Sequence, residues 1–318
     1  MSLGVYRPTR VVLNNEIIDA IDSSDEWIKE RSGIHSRRFA GPDETVVSMS
    51  VAAAKTALER AGISAQQLGA VICATVTYPF QTPSAATDIA LQLGAPMVPA
   101  FDISAACAGF CYGVGLASDM VRNGSADYVL LIGVEKLSDF TDPTDRGTAF
   151  IFADGAGAVI IGPSQTPGVG PTIWGSDATA REAILMEPSW VDLRDPHSAG
   201  WPAIKMQGQT VFRWAVYHMA PVALEALSVA GITSQDLDAF IPHQANGRII
   251  DAMAKAMSLP ENVAIARDIR ISGNTCAASI PLAMDALYVE GKVKSGDTAL
   301  LIGFGAGLVY AAQVVQLP

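Results

Sequence analysis

The chain has 318 residues, half of them apolar and only 17% charged, which is ample for a large buried core and too apolar for long disordered tails. The net charge of −11 and isoelectric point of about 4.7 make nucleic acid a poor partner, because an acidic surface repels phosphate backbones. No apolar run approaches the roughly 18 residues that span a bilayer, no basic-then-apolar leader opens the chain, and four cysteines without a CxxC pair do not make a disulfide scaffold, so the reducing cytoplasm is the expected setting.

In chain order, residues 56–72 (TALERAGISAQQLGAVI) read as the end of a helix, a glycine stop, a capped turn and a buried strand. Cys73 continues that strand and reads as a packed thiol. AFDI at 100–103 is a short strand that runs into SAACAG and then an amphipathic helix. Cys107 therefore falls at or near a helix N-terminus, where the macrodipole and free backbone N–H groups favour thiolate. Its small neighbours, Ala105, Ala106, Ala108 and Gly109, leave room for a substrate, in the manner of a strand–nucleophile–helix elbow. Cys111 lies one helical turn further on and is expected to pack inward, as most free cysteines do.

ADYVLLIG at 126–133 is a further strand, apolar throughout, as suits a sheet covered on both faces. The Pro/Gly-rich stretch GPSQTPGVGP that follows it places a boundary near Gly162–Gly170, dividing the chain into residues 1–165 and 166–318 around one shared core. Residues 225–241 (EALSVAGITSQDLDAFI) then repeat the pattern of 56–72, with nine residues identical at an offset of 169. ARDI at 266–269 answers AFDI, and GDTALLIG at 296–303 answers ADYVLLIG. Three matches in the same order indicate a duplicated βαβ-type architecture.

His243, in FIPHQANGRI, follows a buried strand at the carboxyl end, where open α/β sheets bind ligands. Position alone suits packing and catalysis equally. His35, His197 and His218 lie in ordinary polar or helical contexts. Asn274, in ISGNTCAASIP, occupies the second-half counterpart of the Cys107 segment, although Gly-Asn also suits a plain turn before a helix. The Gly-rich IGFGAGL at 302–308 is neither a P-loop nor a dinucleotide fingerprint.

Taken together, SSDEWIKERSGI (23–34), FDISAACAGF (101–110), DPTDRGTAFIFADGAGA (142–158), VFRWAV (211–216), PHQANGRI (242–249), SGNTCAASIPLAM (272–284) and IGFGAGL resemble the β-ketoacyl-acyl carrier protein synthase III family, especially its actinobacterial members. These motifs run along essentially the whole chain. The resemblance implies an α/β thiolase fold, two halves in a layered αβαβα sandwich, and a homodimer. It implies a Cys107/His243/Asn274 triad that condenses an acyl-coenzyme A primer with malonyl-acyl carrier protein through an acyl-enzyme, without metal or redox cofactor. Backbone N–H groups of Cys107 and Ala306 are implied as the oxyanion hole.

By the same resemblance, Trp27 and Arg146 hold the adenine of coenzyme A, and Arg31, Gly208, Phe212 and Asn246 line the pantetheine and phosphate path. Arg213, Arg248 and Lys255 match the family's basic patch for the acidic carrier protein, though such charges on an amphipathic helix are often simply solvated. Thr82 stands where some members have a bulky Phe at the acyl tunnel, which permits a longer or branched primer. Cys276 stands where many members have Ser, and Ala306 where some have Gly. MSLGVYRP begins later than is usual in the family, so a short first strand is expected. Initiation of fatty acid synthesis is the leading function. Starter loading in secondary metabolism, a Cys-His-Asn hydrolase and a non-enzymatic acyl-binding relative are the competitors.

Overall fold

The computed structural model describes residues 2–195, 197 and 200–318. The first half runs β1 (Ser2–Tyr6), β2 (Arg10–Leu13), α1 (Asp25–Ser32), β3 (Ser36–Phe39), α2 (Val46–Ala61), β4 (Ala70–Ala74), α3 (Ala85–Gln92), β5 (Ala100–Ile103), α4 (Gly109–Arg122), β6 (Val129–Lys136) and β7 (Asp154–Ile161). The second runs β8 (Ile173–Ser176), β9 (Ile184–Glu187), β10 (Ala203–Met206), α5 (Gly208–Val229), β11 (Ala239–Pro242), α6 (Gly247–Ala256), β12 (Ala264–Ile265), α7 (Ile269–Ser272), α8 (Ser279–Val289), β13 (Thr298–Gly305) and β14 (Val309–Gln316).

The local signals fold as their chemistry dictates. Gly62 stops α2 at φ +69°, and Gly231 follows α5 at φ +73°. Each stop leads into a short 3-10 turn closed by a reciprocal capping box, from Ser64 in one half and Thr233 in the other. The strands β4 and β11 come next, fully buried. All five residues of β1 pair with β7.

Two five-stranded mixed sheets result, in the orders β1-β7-β6-β4-β5 and β8-β14-β13-β11-β12, which are the same topology twice. Between them lies a helical layer in which Phe110, Val114 and Ala117 of α4 and Ile280, Met284 and Leu287 of α8 pack against Ile72 and Leu131 on one side and Ile241 and Leu301 on the other. On the outer faces, Met49, Ala53 and Ile89 of α2 and α3 cover the first sheet, and Met219, Ala223 and Met253 of α5 and α6 cover the second. Five alternating layers account for sheets that are apolar on both faces. One element of the expected repeat shifts. ARDI is not the counterpart strand: the strand is Ala264–Ile265, paired with Ala239–Phe240, and Ile269 already starts α7. Asp268 of that motif is instead buried against Arg7 and serves the turn.

The duplicated strand glycines have a steric cause. A Cβ on Gly303 of β13 would lie 2.9 Å from the Ala108 Cα and 3.0 Å from the Cys107 carbonyl oxygen, in the other half. A Cβ on Gly133 of β6 would lie 2.8 Å from the Ala277 carbonyl carbon, again across the halves. Each sheet thus receives the other half's helix-leading turn at a bare glycine, closer than any side chain permits. The two turns, Ala106–Ala108 and Cys276–Ala278, match in another respect, since each opens on a non-glycine residue with positive φ, Ala106 at +43° and Cys276 at +49°. Substitution Gly133→Ala should therefore destabilise the protein by roughly 3 kcal/mol, the upper end of the range for overpacking. A thermal midpoint that stays at the wild-type value would show that the contact yields freely.

Candidate active site

The site is assembled from three loops at the carboxyl ends of strands. Cys107 sits in the 3-10 turn between β5 and α4, buried, with only its edge reaching the cavity. His243 directly follows β11, its backbone N–H donating to the Ile302 carbonyl at 2.7 Å. Its ring stands edge-on to Phe304, with centroids 5.4 Å apart. Asn274 follows α7 and is pinned at both backbone groups: its N–H donates to Ile151 O, and its carbonyl accepts from Ala153 N–H, each at 2.9 Å. Its side-chain Oδ1 accepts the Cys276 N–H at 2.9 Å, which turns the amide nitrogen away from that backbone and leaves it as the group able to donate to a ligand. All three residues line one cavity of about 700 Å³.

The structure refines the counterpart relation between Cys107 and Asn274. The repeat pairs Cys107 with Ala277 and Ala106 with Cys276, so Asn274 lies three residues before the position equivalent to the thiol. The two functional residues share a segment, not a position.

The electrostatics favour one sulfur over the other. The Cys107 thiol is held well below the ordinary thiol range, first by the neighbouring Cys276 thiol, then by His243, with its own backbone N–H contributing and burial opposing. Cys276 is pushed the other way by burial, by Cys107 and by Glu135. Of this coupled pair Cys107 carries the charge, because it faces an imidazole and a turn's N–H while Cys276 faces a carboxyl group. Cys73 and Cys111 are raised by burial and pack as apolar groups. Behind the cavity wall, Glu135 of β6 is fully buried and accepts from Thr77 Oγ1 at 2.7 Å, Thr75 Oγ1 at 3.2 Å and Val76 N–H at 3.1 Å. Burial raises its carboxyl to about 7, with the charge on Cys107 adding to the rise.

Most of the expected ligand contacts reach the same cavity. Ala306 lines it beside Cys107. At the mouth, the guanidinium groups of Arg31 and Arg146 lie 5.8 and 5.2 Å from the centre of the Trp27 ring. Gly208 and Phe212 line the wall, with the Arg248 guanidinium 5.1 Å from the Phe212 ring. Asn246 also lines it, but its amide is engaged in structure: Oδ1 caps α6 through Arg248 N–H, and Nδ2 donates to Arg31 O. Arg213 and Arg248 are exposed at the rim, and Lys255 is exposed further along α6, off the cavity. Thr82 is not on the cavity. It is exposed on the loop between β4 and α3, near the edge of the first sheet. The sequence reading places Cys276 as a second thiol near the site but missed Glu135 behind Cys107, although an acid at the end of the apolar run VLLIGVEK was a visible signal. It also missed Leu137, Phe150, Ile151 and Ile204, which form the apolar wall.

Cys107 should react with iodoacetamide at a pH below the usual thiol range, while Cys73 and Cys111 stay unmodified in the native protein. Because the Cys276 thiol is the largest cause of the shift, Cys276→Ala should raise the apparent pKa of Cys107, and Cys276→Ser should raise it less. The rate of alkylation against pH, read by peptide mass, checks this. An unchanged profile in Cys276→Ala would remove that thiol from the account.

Residues 101–178 match the family model described as 3-Oxoacyl-[acyl-carrier-protein (ACP)] synthase III, and residues 227–317 match the model of its C-terminal part. The chain is 59% identical over 318 residues to the beta-ketoacyl-[acyl-carrier-protein] synthase III of Streptomyces glaucescens, covering 100% of this chain and 96% of that one. It is 50% identical over 318 residues to the mycobacterial beta-ketoacyl-[acyl-carrier-protein] synthase III of Mycobacterium avium, covering 100% and 95%. Among solved structures, the priming beta-ketosynthase from the R1128 polyketide biosynthetic pathway matches with a TM-score of 0.98 at 47% identity, covering 100% of this chain and 95% of that one. The 3-oxoacyl-[acyl-carrier-protein] synthase III of Aquifex aeolicus VF5 matches with a TM-score of 0.91 at 39% identity, covering 99% and 98%. Sequence, duplicated fold and comparisons agree: this chain belongs to the β-ketoacyl-[acyl-carrier-protein] synthase III family of acyl-transferring condensing enzymes.

Proposed function

We propose that Cys107, His243 and Asn274 carry a two-stage condensation of an acyl-coenzyme A primer with malonyl-acyl carrier protein, initiating fatty acid synthesis. One observation supports this above the rest: a thiol biased towards thiolate and two N–H-bearing side chains from separate loops line a single cavity. In the first stage the Cys107 thiolate attacks the primer thioester, coenzyme A leaves as its thiolate, and the acyl group stays on the sulfur. The N–H groups of Cys107 and Ala306 stabilise the tetrahedral oxyanion. In the second stage His243 and Asn274 donate hydrogen bonds to the malonyl thioester carbonyl. Carbon dioxide leaves, its bonding electrons pass into the enolate, and the carbanion attacks the acyl-enzyme to return the Cys107 thiolate. No step calls on a metal or redox cofactor.

Coenzyme A would enter past Trp27, its adenine held between the indole and the Arg146 guanidinium. Arg31, Gly208 and Phe212 would line its path, with Asn246 contributing only what its capping role leaves open. Arg213, Arg248 and Lys255 form a local basic face on a protein of net charge −11, which suits steering of an acidic carrier protein. The similarity to a priming ketosynthase favours a second reading, in which this chain loads a starter unit for another pathway.

A homodimer is part of the proposal. The edge strand β5 exposes Phe101 at 38%, and the same region exposes Phe80 at 63%, Leu91 at 63% and Met97 at 91%. An open edge with apolar neighbours calls for a covering partner. Thr82 lies on that side, so a role for it at the acyl pocket would have to be exerted across the dimer. Four free cysteines suit a reducing cytoplasm, and among the described residues no helix is long and apolar enough to cross a membrane.

Incubation with labelled acyl-coenzyme A and malonyl-acyl carrier protein should give β-ketoacyl product and carbon dioxide. Cys107→Ala should lose acyl labelling, and His243→Ala or Asn274→Ala should keep labelling but lose decarboxylation. Acyl label on Cys107→Ala would move the nucleophile elsewhere, and a primer panel that yields product only with an unusual starter would favour the second reading. Phe101→Glu should yield a monomer by light scattering, and a dimer that persists would place the interface on another face.

A further inference from the structure

The proposed second stage needs His243 to present an N–H to the substrate, and a neutral imidazole has only one. Which ring nitrogen bears it is set by what the other nitrogen meets. The His243 ring is fixed in place by its backbone bond to β13 and by Phe304, but neither addresses the tautomer. The ring nitrogen Nδ1 meets Ser279 Oγ at 2.7 Å, with both residues buried.

Ser279 opens α8, and its hydroxyl has a second partner, the Gln244 backbone N–H at 3.4 Å. A peptide N–H can only donate, so that contact takes a lone pair of Oγ and leaves the hydroxyl proton to be given elsewhere. Gln244 cannot turn away, because its own side chain is clamped. Nε2 donates to Pro242 O at 2.7 Å and to Ala266 O at 3.4 Å, and Oε1 accepts the Ile269 N–H at 3.1 Å. The acceptor within reach of the Ser279 proton is His243 Nδ1.

We propose that Ser279 is a positioning residue which donates to His243 Nδ1 and so keeps the N–H that the substrate needs on Nε2, facing the cavity. A proton on Nδ1 in place of Nε2 would leave the buried Ser279 hydroxyl without that acceptor, so that tautomer is disfavoured. The chain Gln244 N–H to Ser279 Oγ–H to His243 Nδ1 then points every donor the same way, ending at Nε2–H. With Asn274, whose Oδ1 is occupied by Cys276 N–H, the site presents two donors to the thioester carbonyl. This inference rests on the role given to His243 above.

Ser279→Ala should slow condensation by about 10–100-fold, the range seen when a partner that orients a histidine is removed, while acylation of Cys107 stays close to wild type. Ser279→Thr, which keeps the hydroxyl, should recover most of the loss. The tautomer is read directly by nitrogen-15 NMR of the wild-type protein, with His243 assigned by its absence in His243→Asn. Protonated Nε2 with bare Nδ1 is expected in the wild type, and a loss of that pattern in Ser279→Ala. Protonated Nδ1 in the wild type would overturn the proposal without recourse to any variant. So would Ser279→Ala at full condensation rate with His243→Ala inactive. If His243→Ala itself condensed normally, the role of His243 would fall, and that outcome is distinct from both.

Discussion

Everything at the site depends on the close approach of two backbone turns to two glycines of the opposite half. The turn that carries Cys107 rests on Gly303, and the turn that carries Cys276 and leads to Ser279 rests on Gly133. This contact sets how far apart the thiol of one half lies from the amide and hydroxyl of the other. Helices α4 and α8, which start at these turns, fill the layer between the sheets, so a shift in either turn would be felt through the central core. The fold can be viewed as two sheets that hold each other's helix-leading turn in place.

Within that frame the site manages charge by placing like groups unequally. Three acidic groups, Cys107, Cys276 and Glu135, are crowded into a buried space with one imidazole. They cannot all ionise. Cys107 has hydrogen bonds from the Cys276 thiol, His243 and its own backbone N–H, so the negative charge settles there. Cys276 remains a thiol and lends its proton as a donor. Ser279 and Cys276 N–H do for the neutral donors what this arrangement does for the nucleophile, each fixing the state of a group that touches substrate in the proposed chemistry.

Much of this was legible in the sequence because it rests on local rules. The stops at Gly62 and Gly231, the capping boxes that follow and the two matched strand runs announce a duplicated α/β fold, and the small residues around Cys107 announce a tight turn. What could not be read depends on three-dimensional placement. ARDI looks like AFDI, but its Asp268 is drawn into a buried pair with Arg7, a residue more than 250 positions away in the chain. Thr82 lies off the cavity of its own protomer, on the exposed loop before α3. Asn246 lines the cavity and its amide also caps α6, a second duty that its motif does not show. Ser279 gave no signal at all, since a serine at a helix start is ordinary until a histidine from another loop meets it.

The buried carboxyl of Glu135 has a consequence for proton balance. Burial is the main cause that brings it to about 7, and the negative sulfur of Cys107 adds a smaller rise. On the proposed chemistry, acylation turns that sulfur into an uncharged thioester, and Glu135 loses one of the causes that hold its proton. Loading the primer would then expel a fraction of a proton from the interior at neutral pH, and condensation, by restoring the thiolate, would draw it back.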